Sequence, residues 1–122
     1  MVNTTGFLTT IKTAVKTSVT ANGTYMAVGT DNTTPVVGDT TLGAEVTRKA
    51  IQESTVGTSD VVLSLFLNST ESNGNALVEV GLLDASSSGN LLVRDIFTSI
   101  AKNSSTEVWI DIEEQIDVTQ WL

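Results

Sequence analysis

The sequence predicts a mainly β fold, a small antiparallel β-sandwich or barrel-like domain of about six strands with one helix at its N-terminus. Three observations carry that expectation. Four stretches rich in Val, Ile and Leu follow one another through the second half: Asp60–Asn68, Asn75–Ala85, Asn90–Thr98 and Glu107–Val118. The breaks between them have turn chemistry: Ser72-Asn73-Gly74-Asn75, then Ser86 to Asn90 with Gly89 inside it, then Lys102-Asn103-Ser104-Ser105. Asn-Gly and Ser-Gly steps supply the positive φ that tight turns need. No break is long enough for the crossover of a dozen or more residues that parallel neighbours require. Residues 59–122 are therefore expected to form an antiparallel β-meander within a single domain spanning 1–122.

The elements before it are read in order. Thr4–Val19 fits two periods. Phe7, Leu8, Ile11, Ala14, Val15, Ser18 and Val19 make one helical face, whereas Phe7, Thr9, Ile11, Thr13, Val15, Thr17 and Val19 alternate as a strand would. A helix is preferred, closed at Asn22-Gly23 by a left-handed cap, so that residues 1–22 form a helical arm. Thr24–Thr30 reads as a strand, Asp31–Gly43 as a long irregular loop holding the only proline, and Glu45–Val56 as one extended segment. In a small domain, a loop of that length is a binding loop or an assembly arm. The last stretch alternates most cleanly: Val108, Ile110, Ile112, Ile116 and Val118 face the core, with Glu114 interrupting. Trp109, Asp111, Glu113, Gln115 and Asp117 form an acidic outer stripe.

Composition limits the chemistry. The 122 residues suit one domain, and 40% hydrophobic content supports a core that must be aliphatic, since only 5% is aromatic. There is no cysteine and no histidine, which removes disulfides, thiolate ligands, the commonest metal ligand and the usual general base at neutral pH. The opening residues lack signal-peptide character, and no apolar run approaches the ~20 residues of a membrane span. The net charge of −8 is lopsided: residues 1–58 balance, so the whole excess lies in 59–122, where Arg94 and Lys102 meet ten acids. Such a surface disfavours nucleic acid and anionic membranes as partners.

Candidate sites are few. Asp111, Glu113 and Asp117 are close enough for acid–base work, but an open strand face offers no pocket to raise one carboxyl, so no catalytic residue is assigned. Asp31, Asn32, Thr33 and Asp39 offer hard oxygens for Ca²⁺, yet their spacing is not that of an EF-hand and Asx turns explain them more simply; no metal or cofactor is assigned. Arg48-Lys49 is a basic pair expected to bridge to the acidic half of the domain. Five Asn-x-Ser/Thr sequons, beginning at Asn3, Asn22, Asn32, Asn68 and Asn103, are the chance product of a chain rich in these residues. The residues best suited to assembly contacts are Phe7, Asp31, Pro35, Asp39, Arg48, Lys49, Trp109 and Trp121.

Two blocks carry a resemblance. The first is Tyr25-Met-Ala-Val-Gly-Thr30, then Thr34-Pro35, then Asp39-Thr-Thr-Leu-Gly-Ala-Glu-Val-Thr-Arg-Lys-Ala-Ile51. The second is Glu79-Val-Gly-Leu-Leu-Asp-Ala85, then Gly89-Asn-Leu-Leu-Val-Arg94, Phe97 and Ile100-Ala-Lys102. Their order and spacing resemble a family of short structural proteins of tailed bacterial and archaeal viruses, the tail-fibre or tail-collar-fibre-like proteins, over roughly residues 24–102. Asp31 stands where the family pattern has glycine and Leu83 where Phe is common. The resemblance implies no active site. With no fibre shaft or tip following Leu122, it implies a tail, collar, baseplate or fibre-attachment subunit rather than a receptor-binding chain. That subunit would be assembled in the host cytoplasm and carried in the virion. It would be held to other virion proteins (tail, baseplate, portal-proximal or capsid) as a homo-oligomer, a trimer or hexamer ring. Capsid decoration is the alternative within that class. A glycan-binding adhesin module, using Trp109, Trp121 or Tyr25, is the alternative outside it.

Overall fold

The computed structural model describes residues 24–57 and 60–115, together with Ala14 and Thr17. The N-terminal helix or arm, with Phe7, lies outside the described residues, as do Ile116, Asp117, Val118 and Trp121. Over 24–57 and 60–115 the regular elements are all strands: β1 (Tyr25–Gly29), β2 (Glu45–Ala50), β3 (Glu53–Val56), β4 (Asp60–Leu67), β5 (Asn75–Leu83), β6 (Leu91–Lys102) and β7 (Val108–Gln115). They make two antiparallel sheets, one ordered β2-β1-β5-β6 and the other β3-β4-β7. The sheets do not close on each other, so the molecule is a small β-sandwich and not a barrel.

Among the described residues there are seven strands instead of about six because the extended Glu45–Val56 segment divides. The Ile51 amide donates to the Thr24 carbonyl in the first sheet, and the next amide, Gln52, donates to the Ser64 carbonyl in the second. The chain thus changes sheets at one peptide bond.

The meander expected over 59–122 does not form. Of the four strands of that half, only β5 and β6 make a hairpin with each other; β4 pairs with β3 and β7, while β5 pairs with β1 and β6. Short connections demand that successive strands run antiparallel, but they do not demand that they share a sheet. Here 68–74 and 103–107 arch across the end of the sandwich, whose two sheets lie ~10 Å apart. Arching lets the apolar faces cover each other. Val61, Leu63, Leu65 and Leu67 of β4 and Val108, Ile110 and Ile112 of β7 pack against Met26, Val28, Leu77, Val80 and Leu82. A single four-stranded meander would have left such faces in water.

The inward alternation expected of Val108, Ile110 and Ile112 is present, and Trp109, Asp111 and Glu113 point outward. Glu114, opposite Val61 at the strand end, is exposed. The 68–74 arch is pinned from inside the domain. Lys49 Nζ donates to the Phe66 carbonyl (2.7 Å) and to Glu71 Oε1 (2.9 Å), and the buried Lys102 Nζ donates to Asn73 Oδ1 (2.9 Å). Gly74 and Gly89 adopt the positive φ expected of them, +83° and +75°.

Candidate functional site

The middle of the first sheet, β1 and the second half of β5, is buried on both faces, and its second face holds a densely hydrogen-bonded site. A register shift in β5 between Leu77 and Glu79 makes this possible. Strict alternation from Leu77 would point Glu79 into the core between the sheets. The bulge resets the parity, so that Leu77 joins Val80 and Leu82 in the core. Glu79, Gly81 and Leu83 then face the other way, under the 31–44 loop. There Leu42 seats on Ala27 and Leu83, with Leu91 beside them.

Glu79 is fully buried, and each of its carboxylate oxygens accepts two hydrogen bonds. Oε2 takes the amides of Asp31 (2.9 Å) and Ala44 (2.8 Å); Oε1 takes the Gly43 amide (2.8 Å) and Arg94 Nε (3.0 Å). One side chain therefore ties both ends of the loop to the middle of the sheet. Arg94, on β6 opposite Gly81, spends its other nitrogens on the same loop. Nη1 donates to the Thr33 carbonyl (2.9 Å) and Asp39 Oδ2 (3.2 Å), and Nη2 to the Asp31 carbonyl (3.3 Å). Its side chain is only 4% exposed. A buried ion pair is tolerable when its atoms find further partners, and every nitrogen and oxygen of this one has at least one. Among the described residues no buried side-chain nitrogen or oxygen lacks a partner.

Sequence and geometry agree on why the loop closes here. An added Cβ at Gly29 would overlap the Ala44 carbonyl oxygen and the Glu79 carboxylate, so the strand must lack a side chain where the loop's return crosses it. Asp31 caps its own turn, Oδ1 accepting from the Thr33 amide (2.7 Å) and hydroxyl (2.6 Å), and these bonds hold its pKa below the usual value. Asp39 Oδ2 accepts from the Val36 amide (3.0 Å) as well as from Arg94, and the Asp39 amide returns a bond to the Val36 carbonyl. Asp31 and Asp39 thus organise the loop with internal donors. Among the described residues no group of three or more acidic side chains is gathered as a cation site.

The electrostatics give the clamp a pH signature. Burial pushes the Glu79 carboxyl up, but the amides of Asp31, Ala44 and Gly43 together with Arg94 outweigh it, and its pKa falls below the ordinary 4.5. A carboxylate whose folded-state pKa is depressed adds stability that is complete above its unfolded pKa. That stability is lost as pH falls through the folded-state value. Equilibrium denaturation of the wild type should therefore weaken below about pH 4.5, and Glu79→Gln, already weaker at pH 7, should lose less over the same interval. Parallel pH profiles for the two proteins would contradict this.

The remaining sequence candidates distribute as follows. Pro35 lines an open groove of about 390 Å³ with Val36, Val37, Leu91, Leu92 and Val93, and Asp39 and Arg94 also line it. Arg48 is engaged inside the domain, its guanidinium bound to Glu45 (2.7 Å) and to the Ala85 and Ser88 carbonyls (both 2.9 Å). Lys49 is spent on the 68–74 arch. Trp109 lies on the far sheet, 56% exposed, its ring 5.0 Å from that of Phe66. Asp111 beside it accepts from the Ser64 hydroxyl (2.6 Å). The fold therefore gathers Asp31, Pro35 and Asp39 into one site and keeps Trp109 apart from it.

Glu79 and Arg94, which hold the site together, were not singled out by sequence reasoning. A signal existed. Glu79 is the one charged residue in β5, and Arg94 is one of two cations after residue 58.

Fold and site together define a two-sheet antiparallel β-sandwich whose longest loop is fastened by a buried Glu–Arg pair. No protein-family model matches the sequence, and comparison with curated proteins finds no match.

Proposed function

We propose that this chain is a non-enzymatic structural subunit of a tailed-virus particle, seated at the tail, collar, baseplate or fibre attachment and held by other virion proteins. The observation that supports this reading is where the resemblance-bearing residues go. Gly29, Asp39, Leu42, Gly43, Glu79, Gly81 and Arg94 come from both sequence blocks, and they meet at one clamp. The clamp commits Glu79 and Arg94 to holding the loop. Its product is a fixed loop with the apolar Val36 and Val37 at its tip, a geometry suited to docking. Mass spectrometry of purified particles tests the reading: the subunit is expected among the virion proteins, and its absence would end it. Copy number per particle separates a tail role, tens at most, from capsid decoration, which needs hundreds.

One observation favours a second reading, a glycan-binding module. Trp109 is exposed on the outer sheet face, its ring tilted against that of its cross-strand neighbour Phe66 and Asp111 two residues along, a platform with an acceptor of the kind sugars use. Titration of tryptophan fluorescence with surface glycans decides this, and a flat response removes it.

A further inference from the structure

Lys102 closes β6 and is 2% exposed, so its whole side chain lies inside the domain. A buried ammonium ordinarily takes a carboxylate as partner. Among the described residues the ion pairs are made by Arg48, Lys49 and Arg94, and Lys102 is in none of them. Its Nζ donates instead to Asn73 Oδ1 (2.9 Å) and to the Asn103 carbonyl (3.1 Å). A primary amine thus lies against a carboxamide, whose carbon is one bond beyond the oxygen it touches.

The carboxamide is held in place. Asn73 Nδ2 donates to the Ser69 carbonyl (2.9 Å), and the turn around it has positive φ at Ser72 (59°) and Gly74 (83°). Asn75 Nδ2 donates back to the Ser72 carbonyl (3.0 Å) and the Asn73 carbonyl (3.3 Å). Holding an amine and an acyl group together replaces a collision by an intramolecular step, with effective molarities on the order of 10⁵ M and above when the two are well oriented. An Asn-Gly step also carries a rival nucleophile, the glycine amide, which closes a succinimide. Here the Gly74 amide donates to the Lys102 carbonyl (2.9 Å), so the residue that presents the amine also occupies its competitor.

We propose that Lys102 and Asn73 are a modification site at which the chain cross-links itself, through an isopeptide bond between Lys102 Nζ and Asn73 Cγ. The Nζ lone pair attacks Cγ; the Cγ–Nζ bond forms and the Cγ–Nδ2 bond breaks. Counted from the ammonium, Nζ gives up two protons. The departing amide nitrogen takes up two and leaves as ammonium into the solvent that Asn73 faces. Nothing is oxidised or reduced, and no co-reactant is consumed. The product replaces a buried charge by a neutral amide. It also spans the open end of the β5–β6 hairpin, where Asn75 pairs with Lys102, and makes a covalent ring of the hairpin that carries Glu79 and Arg94.

Intact-mass spectrometry of the purified full chain tests this, and its outcome does not depend on whether the chain belongs to a particle. The wild type should be lighter than its sequence by one ammonia. Tandem mass spectrometry of its digest should find a branched peptide joining Asn73 to Lys102. Asn73→Ala and Lys102→Arg should each return to the full sequence mass. A wild type at full mass overturns the proposal. An ammonia deficit without the branched peptide, or one equally large in Lys102→Arg, also overturns it, because both mark cyclisation onto Gly74. The branched peptide is sought in the wild type, where no folding defect of a variant can hide it.

Discussion

Glu79→Ala should cost about 3–5 kcal/mol of folding stability at pH 7, the range for removing one member of a buried ion pair. The size follows from what is orphaned. Three backbone amides, of Asp31, Gly43 and Ala44, lose their acceptor, and Arg94 keeps a charge that is 4% exposed with its closest counter-ion gone. Each buried donor left unpaired costs about 1–3 kcal/mol on its own, and relaxation of the loop into water recovers part of the sum. Urea denaturation measures the loss. Glu79→Gln should fall between the two, since its one carbonyl oxygen satisfies only some of the donors. Arg94→Lys should also be destabilised. A compact ammonium does not reach the Thr33 and Asp31 carbonyls, Asp39 and Glu79 together as the planar fork does. If Glu79→Ala costs less than about 1 kcal/mol, the loop is not fastened as described.

Leu65→Ala should cost about 2–5 kcal/mol, the range for truncating a core leucine. Leu65 is fully buried on β4, paired with Ile110 and packed in the cluster shared by both sheets. Its loss opens a cavity that neighbours on two sheets cannot both close. Phe66→Ala, one residue on but directed to the outer face beside Trp109, should cost clearly less. That contrast between adjacent positions reports the sandwich directly. Equal losses at 65 and 66 would mean that β4 is not sided as described.

Much of the fold was legible because it depends on local pattern. Alternation at Val108, Ile110 and Ile112 marks a half-buried strand whatever it pairs with, and Gly74 and Gly89 mark turns through their own backbone needs. Pairing was less legible. The same short breaks serve a hairpin within one sheet or an arch between two, and local chemistry does not separate them. The division of Glu45–Val56 was hidden for the same reason, since a strand that changes sheets keeps its extended backbone throughout.

The site was half legible. Asp31, Pro35 and Asp39 stand out as loop residues with turn chemistry. Glu79 does not, because a bulge sets which face it joins, and a bulge is read from register rather than from composition. The carbonyls that hold Arg48 and Lys49 lie 17 to 40 residues away, and no spacing rule connects these to them, unlike the Glu45 carboxylate three residues before Arg48.

The central claim is that Glu79 and Arg94 make the 31–44 loop part of the rigid domain. Amide hydrogen exchange at Asp31, Gly43 and Ala44 tests it most directly. Their protection should match that of the β5 core amides in the wild type and collapse in Glu79→Ala while β4 and β7 stay protected. Exchange of those three wild-type amides as fast as at the exposed 86–88 turn would contradict the account.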